Sequence, residues 1–217
     1  VDWQALLRTC VNGSSELMSN LSMSLVSMLY NLQLIKYAGE NGVAAYGVMM
    51  YVSMIFSSAF IGFSIGTSPV VSYHDGAKNY EELKGLLRKS LILVGIFGVG
   101  MIVAAELMAA PLSRFFVGYD AELYEMTVSG FRIFALAFGF MGFGIFSSGF
   151  FTALNDGLTS ALISFLRTMV FQCAAILLLP LIWGIDGIWA GVIVAEFMAV
   201  VLGIVFLIAK RKKYHYY

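Results

Sequence analysis

Six long apolar runs dominate the sequence and constrain what the chain can fold into. They cover residues 14–37, 43–73, 86–112, 127–154, 158–183 and 188–209, with short polar or glycine-containing segments between them. Each run reaches the roughly 20 residues that a helix needs to cross the hydrocarbon core of a bilayer. The runs do not alternate apolar with polar residues, as the strands of a membrane barrel do. We therefore predict an all-α integral membrane protein, a bundle of six transmembrane helices.

The composition excludes several classes of protein. Of the 217 residues, 60% are hydrophobic and 12% are charged, whereas soluble domains average about 45–50% and about 25%. A water-soluble chain of this composition would expose large apolar patches. The 13 basic residues balance the 13 acidic ones, so net charge does not favour a polyanionic partner. A soluble enzyme and a nucleic-acid-binding protein are both excluded.

The distribution of Lys and Arg predicts the orientation in the membrane. Cytoplasmic loops carry an excess of these residues. They cluster after the second run and at the C-terminus, as Lys78, Lys84, Arg88, Lys89 and Lys210, Arg211, Lys212, Lys213. We expect both chain ends to be cytoplasmic. The C-terminal cluster is interpreted as a flank of the last span beside the lipid, with a specific lipid-recognition patch as the alternative.

Polar side chains form one stripe on each of the first two predicted helices. The first stripe consists of Glu16, Asn20, Ser24, Ser27 and Asn31. The second consists of Tyr46, Ser53, Ser57, Ser64 and Ser68. At about 100° per residue the stripes are about 80° and about 60° wide. We interpret them as the lining of a water-filled cavity, with Glu16 and Asn20 as candidates for a coupling-ion site. The alternative is that these side chains hydrogen-bond across dry helix interfaces.

Two charged residues lie near the middle of predicted spans, Arg167 in the fifth and Glu196 in the sixth. An unpaired charge at that depth costs about 2.5–3.5 kcal/mol on insertion scales. We expect a structural ion pair, with a proton relay as the alternative. The runs contain no histidine, no H-E-x-x-H and no G-x-S-x-G motif. We therefore expect no catalytic residues, no metal site, no cofactor and no enzymatic activity.

Several segments resemble one transporter family. Residues 62–78, GFSIGTSPVVSYHDGAK, are similar to the G-x-x-x-G-x-x-P-x-V-S-Y-x-x-G-A signature of the multidrug and toxic compound extrusion (MATE) family. Residues 150–154, 166–167, 184–189 and 195–196 resemble its last two helices. Residues 13–16 with Asn20 and residues 30–31 resemble helix seven of its bacterial multidrug branch. The order and spacing of these segments match the family over nearly the whole chain.

The resemblance implies that this chain is the C-terminal lobe of a twelve-helix, two-lobe antiporter of the bacterial inner membrane, with the N-terminal lobe missing from it. It implies export of cationic or amphipathic drugs or toxins in exchange for H⁺ or Na⁺ by alternating access. Family members often carry a coupling carboxylate in helix seven or ten. Here helix seven offers Glu16, while the run 127–154 contains no carboxylate. The expected partners are the substrate, membrane lipid and the other lobe, and no nucleic acid.

Two other functions remain as alternatives. A lipid-linked oligosaccharide flippase of the wider superfamily would need more cationic residues in its cleft than Arg132 and Arg167. A non-transporting membrane scaffold would have dry polar stripes.

Overall fold

The computed structural model describes residues 3–216, apart from the side chains of Ala5, Ser15, Glu16 and Met18. All secondary structure in this range is helical. The elements are α1 (Trp3–Gly76), α2 (Tyr80–Val117), α3 (Ala121–Ala135), α4 (Phe138–Ala153), α5 (Gly157–Phe165), a π-helical segment (Leu166–Phe171), α6 (Gln172–Leu178) and α7 (Pro180–Tyr214).

Helix α1 is a hairpin of two helical arms. Its 74 residues would reach about 110 Å as one straight helix, but the helix breaks at Gly39, where φ is +62° and ψ is −151°. Only glycine adopts this conformation readily. The rings of Tyr30 and Tyr46 stack with centroids 4.8 Å apart, so the chain reverses between them. The first arm covers residues 3–38 and the second covers 40–76.

Both arms of the hairpin end beside the loop that joins α4 to α5. The Asn12 side-chain nitrogen donates a hydrogen bond to the carbonyl of Thr152 at 3.2 Å. The Ser72 hydroxyl donates to the carbonyl of Ala153 at 2.8 Å. Gly157 lies so close to the Asn12 backbone that a Cβ atom would not fit between them. These contacts place the two free ends of the hairpin at one end of the bundle.

The remaining helices complete a bundle of membrane-spanning length. Four helical stretches are long and apolar enough to cross a bilayer: Leu6–Gly76, Tyr80–Val117, Gly157–Leu178 and Pro180–Tyr214. Helices α3 and α4 together are also long and apolar enough to cross a bilayer, as one span bent by 48°. Because Leu6–Gly76 contains both arms of the hairpin, the described chain forms six membrane-length segments. The fold is an all-α, six-helix membrane bundle.

Glycines bring helices of the bundle close together. A Cβ atom on Gly98 of α2 would lie 3.0 Å from the carbonyl oxygen of Gly139 in α4. At Gly142 it would lie 2.5 Å from the ring of Phe60, which belongs to the second arm. In membranes small residues let helix backbones approach, and van der Waals packing then holds them. Helix α4 is thereby packed against both α2 and the hairpin.

A charged cluster joins the end of α7 to the start of α5. Asp156 caps α5 by accepting a hydrogen bond from the Thr159 backbone at 3.3 Å. It also accepts hydrogen bonds from the Tyr214 hydroxyl at 2.7 Å and from Lys210 at 3.3 Å. Burial by itself would raise the pKa of this carboxyl, but the hydrogen bonds from Tyr214, Thr159 and Lys210 lower it to about 2. We call this part of the molecule the basic end, defined by Asp156, Lys210 and Tyr214.

In the bundle interior, Arg167 of the π-helical segment meets Glu196 of α7. Arg167 donates two parallel hydrogen bonds to the Glu196 carboxylate, from Nε to Oε2 and from Nη2 to Oε1, both 2.8 Å long. Only 1% of the Glu196 side chain is exposed, and 14% of the Arg167 side chain. Bidentate geometry of this kind is the strongest form of a charged hydrogen bond. The pair connects the fifth membrane segment to the sixth.

Removing one partner of this pair destabilises the protein more than removing both. Arg167→Gln and Glu196→Gln each leave one buried charge without a partner, which costs about 3–5 kcal/mol. The double variant leaves none, so we expect it to recover much of the folded yield and thermal midpoint lost by either single variant. Size-exclusion profiles and thermal unfolding of the four proteins measure this coupling. If the double variant lost the sum of the single losses, the two side chains would not act as a pair.

The Asp156 carboxyl at the basic end should make the stability of the fold depend on pH. The Asp156 carboxyl has a pKa of about 2 in the folded protein and an ordinary value of 3.8, so its charge stabilises the fold above pH 4 and this stabilisation is lost as the pH falls toward 2. Asp156→Asn keeps a helix cap but loses the charge. We expect it to lower stability by on the order of 2 kcal/mol at pH 7, with the difference from the unmodified protein closing in acid.

Asp120→Asn is the matched control for this measurement. Asp120 caps α3 through a 3.1 Å hydrogen bond from the Leu123 backbone. Since Asn caps about as well as Asp, this variant should shift the thermal midpoint little at either pH. Equal shifts in both variants at pH 7 would show that the contacts of Asp156 with α7 add no stability.

Candidate functional site: a cavity beside the hairpin

A cavity of about 250 Å³ lies between the hairpin and the later helices. The hairpin contributes Ser19, Asn20, Met23, Val26, Ser27 and Tyr30 from the first arm and Tyr46, Met50, Ser53, Ser57, Ile61, Ser64 and Ile65 from the second. The other wall consists of Phe134, Met141, Ile145, Ser148, Gly149, Ser164, Arg167, Thr168, Gln172, Val192 and Glu196. Every membrane segment except α2 therefore contributes to the lining.

The structure brings most of the predicted stripe residues to this cavity. Those that line it are Asn20, Ser27, Tyr46, Ser53, Ser57 and Ser64. Ser24 and Asn31 are not lining residues. Ser24 is exposed, and its hydroxyl donates to the backbone oxygen of Asn20 at 3.3 Å. The side chain of Glu16, the predicted coupling carboxylate, lies outside the described residues.

The absence of Ser24 and Asn31 from the cavity lining has a geometric reason. Helical spacing places the centre of the first stripe about 60° from the direction in which the lining residues of this arm point. The cavity therefore faces the edge of the stripe that carries Ser27, together with the more apolar positions of Met23 and Tyr30. Periodicity locates the polar face of a helix, but the packing of the hairpin decides how that face is turned.

A cluster of hydroxyl groups between α4 and α5 was missed by the sequence analysis. The Ser148 hydroxyl lies 2.9 Å from that of Ser160 and 2.8 Å from that of Ser164. The hydroxyl of Thr168 donates to the Ser164 carbonyl at 2.6 Å. Ser160, Ser164, Thr168 and Gln172 recur every four residues, so a third polar stripe was present in the sequence. These groups satisfy one another and hold the far wall of the cavity in place.

The ion pair forms the charged part of the cavity wall. Arg167 and Glu196 both line the cavity, although they were predicted as structural residues away from it. They are the only charged residues among the lining residues that the structure describes. Because they neutralise each other, this described lining has no net charge.

Two tyrosines stack on the hairpin side of the cavity. The rings of Tyr30 and Tyr46 are within 14° of parallel. The Tyr30 side chain is buried, with 2% exposed, and its hydroxyl has no hydrogen-bond partner among the described residues. Leaving such a group unsatisfied costs about 1–3 kcal/mol.

The lining of the cavity combines adaptable apolar side chains with groups that form hydrogen bonds. Methionines 23, 50 and 141 face the cavity, and their unbranched thioether chains adapt to differently shaped apolar ligands. Serine hydroxyls beside them offer hydrogen bonds. Among the described residues, no group of three or more His, Cys, Asp or Glu side chains is placed to hold a metal ion.

The bundle is similar to half of several solved transporters. The Vibrio cholerae MATE transporter VcmN in its bent form is 21% identical, with a TM-score of 0.90 over 100% of this chain and 49% of that one. An outward-facing multidrug resistance MATE family transporter of the MOP superfamily is 20% identical, with a TM-score of 0.90 over 99% of this chain and 49% of that one. A MOP superfamily transporter from Pyrococcus furiosus is 20% identical, with a TM-score of 0.87 over 96% of this chain and 47% of that one.

The chain thus spans about half the length of the solved structures it matches. Comparison with curated protein sequences gives no match. The MatE family model matches residues 17–177, a range that begins within the first arm of the hairpin and ends in α6. Since this match covers most of the chain, the protein belongs to the MatE family.

Proposed function

We propose that this chain is one lobe of a secondary active antiporter that exports cationic or amphipathic compounds in exchange for H⁺ or Na⁺. In this proposal both of its ends are cytoplasmic, and an N-terminal lobe of similar size completes a central cleft in a bacterial inner membrane. The observation that carries the proposal is the cavity, which combines methionines, aromatic rings and hydroxyls inside a membrane bundle. Rocking of the two lobes would expose this cavity alternately to each side of the membrane.

The charges of the cavity wall weigh against a flippase of lipid-linked oligosaccharides. A pyrophosphate group needs cationic side chains that are free to bind it. Arg167 is already paired with Glu196. Arg132 is 59% exposed and lies 3.9 Å from the Glu106 carboxylate. It is not among the residues that line the cavity.

The function is tested by transport in cells that express the native gene product. We expect cells with the protein to accumulate less of an amphipathic cationic dye than cells without it. Collapse of the H⁺ gradient or of the Na⁺ gradient should abolish the difference, which identifies the coupling ion. Equal dye accumulation with and without the protein, over a panel of such dyes, would contradict the proposal.

Glu16 is the coupling carboxylate in this proposal. It precedes Asn20, a lining residue, by one helical turn. We expect Glu16→Gln to abolish ion-driven efflux while the amount of folded protein stays unchanged, because the variant keeps the shape of the side chain and loses only its charge. Glu40→Gln is the control, since Glu40 is exposed at the turn of the hairpin. Undiminished efflux in Glu16→Gln would assign the coupling ion to another residue.

Thiol labelling distinguishes a wet cavity from a dry helix interface. Ser57 lines the cavity, whereas Ala59 of the same helix lies in an apolar recess against Leu93 and Phe97 of α2. Cysteines are placed singly at either position after the native Cys10 and Cys173 have been replaced by serine. A membrane-impermeant maleimide should label Ser57→Cys and leave Ala59→Cys unlabelled. A membrane scaffold with dry polar stripes would leave both cysteines unlabelled.

A further inference from the structure

The Tyr30 hydroxyl is an unsatisfied polar group beside the proposed substrate cavity. Tyr30 is one of the lining residues, and its side chain is almost completely buried. Its hydroxyl makes no hydrogen bond to the part of the chain that the structure describes. The ring of the neighbouring lining residue Tyr46 stacks on the ring of Tyr30. Buried hydroxyls are nearly always paired in folded proteins, so the unpaired hydroxyl of Tyr30 has hydrogen-bonding capacity to offer a ligand.

Arg167 offers a second unused donor in the lining of the same cavity. It binds Glu196 through Nε and Nη2. A guanidinium carries five N–H groups, and the two on Nη1 make no hydrogen bond to other described residues. The Arg167 side chain remains 14% exposed, and it borders the cavity. Glu196, the partner of Arg167, lines the same cavity as Tyr30.

Several other hydroxyls of the wall already make hydrogen bonds within the chain. Ser148 and Ser164 bind each other, Thr168 donates to a backbone carbonyl, and Ser57 donates to the carbonyl of Met54. Tyr30 and Arg167 therefore add unused hydrogen-bond donors to the lining of the cavity. A matching ligand brings an acceptor.

We propose that Tyr30 and Arg167 together recognise a carbonyl oxygen of the transported molecule. This inference rests on the proposed transport function and specifies the substrate class as amphipathic molecules with an uncharged carbonyl acceptor, such as an amide or a ketone. Methionines and aromatic rings of the cavity surround the apolar body, and the two donors bind the oxygen. A carbonyl oxygen has two lone pairs, so in this proposal one oxygen accepts from Tyr30 through one of them and from Arg167 through the other.

The neutral ion pair selects a carbonyl over a carboxylate. The charge of Arg167 is compensated by Glu196 at 2.8 Å. A second carboxylate at this point would lie beside the first without an added cation to balance it, and like charges in a buried site repel strongly. An uncharged oxygen accepts the same hydrogen bonds without this repulsion.

Three naphthalene probes test the proposal. They share one aromatic body and differ in the side group: 2-naphthylacetamide carries a neutral carbonyl, 2-naphthylacetate carries a carboxylate, and 2-propylnaphthalene carries no acceptor. Binding is measured by equilibrium dialysis against the purified chain in lipid nanodiscs, with empty nanodiscs subtracted. For each probe the affinity of a variant is divided by that of the unmodified chain, so partition of the probe into lipid cancels.

Tyr30→Phe removes only the hydroxyl. We expect this variant to lower the affinity for 2-naphthylacetamide by about five- to tenfold, which corresponds to the loss of one hydrogen bond. The affinity for 2-propylnaphthalene should stay within twofold of its value in the unmodified chain. We expect its thermal midpoint without ligand to stay the same or rise, because an unpaired buried group has been removed. Tyr46→Phe is the matched control. It alters the same ring stack, so it should change the affinities of both probes by the same factor.

A spectroscopic measurement on the unmodified chain supplies a second test. When a carbonyl accepts hydrogen bonds, its infrared stretching band moves to lower frequency. With a ¹³C label in the acetamide carbonyl, we expect the band of the bound probe to lie lower in the unmodified chain than in Tyr30→Phe. Identical bands would overturn the proposal even if the variant folded poorly and its affinity were uninformative.

The outcomes separate this inference from the proposed function. If none of the probes bound the unmodified chain, the cavity would not be a site for amphipathic ligands and both proposals would fail. If all three bound and Tyr30→Phe weakened them equally, the cavity would bind amphipathic molecules without recognition of a carbonyl, and only this inference would fail. Tighter binding of the acetate than of the acetamide would also overturn it.

Discussion

The absence of water from the bilayer core is the constraint on which this structure depends. A backbone N–H or C=O group without a partner costs several kcal/mol there, so spanning segments are helical along almost their entire length. The chain meets this requirement with long helices, and glycines allow two of these helices to break sharply. Gly39, with φ at +62°, turns the hairpin, and Gly184, with φ at +57°, breaks α7 near its start. Both conformations are available to glycine at little cost.

The same constraint organises the polar side chains. Hydroxyls of α4 and α5 bind one another or nearby carbonyls, and the charges of Arg167 and Glu196 cancel in a bidentate pair. Asp156 gathers its partners at the basic end, where α7 leaves the bundle. The Tyr30 hydroxyl is one of the few buried polar atoms that have no hydrogen-bond partner in the described part of the chain, and Tyr30 borders the cavity. An unpaired group beside a cavity is where a binding function is expected, since folding stability alone does not favour it.

The similarity of this chain to half of longer transporters explains why some of its polar and apolar side chains are exposed. The bundle has the fold of half of a MATE transporter, and the solved structures it matches are about twice as long. Ser24 is exposed on the first arm, and the lining residues Ile61 and Ile65 are exposed on the second. In our proposal these positions face the cleft between two lobes, and this explains why a single chain leaves both hydroxyls and large apolar side chains uncovered.

The amino-acid sequence by itself determines the class of fold and the composition of the site. Apolar runs of membrane-spanning length specify a helical bundle, because hydrocarbon allows little else. The spacing of Asn20, Ser27, Tyr46, Ser53, Ser57 and Ser64 specifies polar helix faces, and these residues do line the cavity. Opposite charges at two mid-span positions, 167 and 196, require a partner for each, and the structure places them together.

Only the tertiary structure decides how those faces are turned and what they enclose. Helical periodicity fixes angles within one helix and not between helices, so it placed Ser24 and Asn31 in the lining, from which the packing of the hairpin turns them away. It could not show that the ion pair borders the cavity, because this depends on the π-helical segment that carries Arg167 and on the approach of α7. The unpaired hydroxyl of Tyr30 is likewise invisible in the sequence, since a missing partner is a property of the whole surrounding fold.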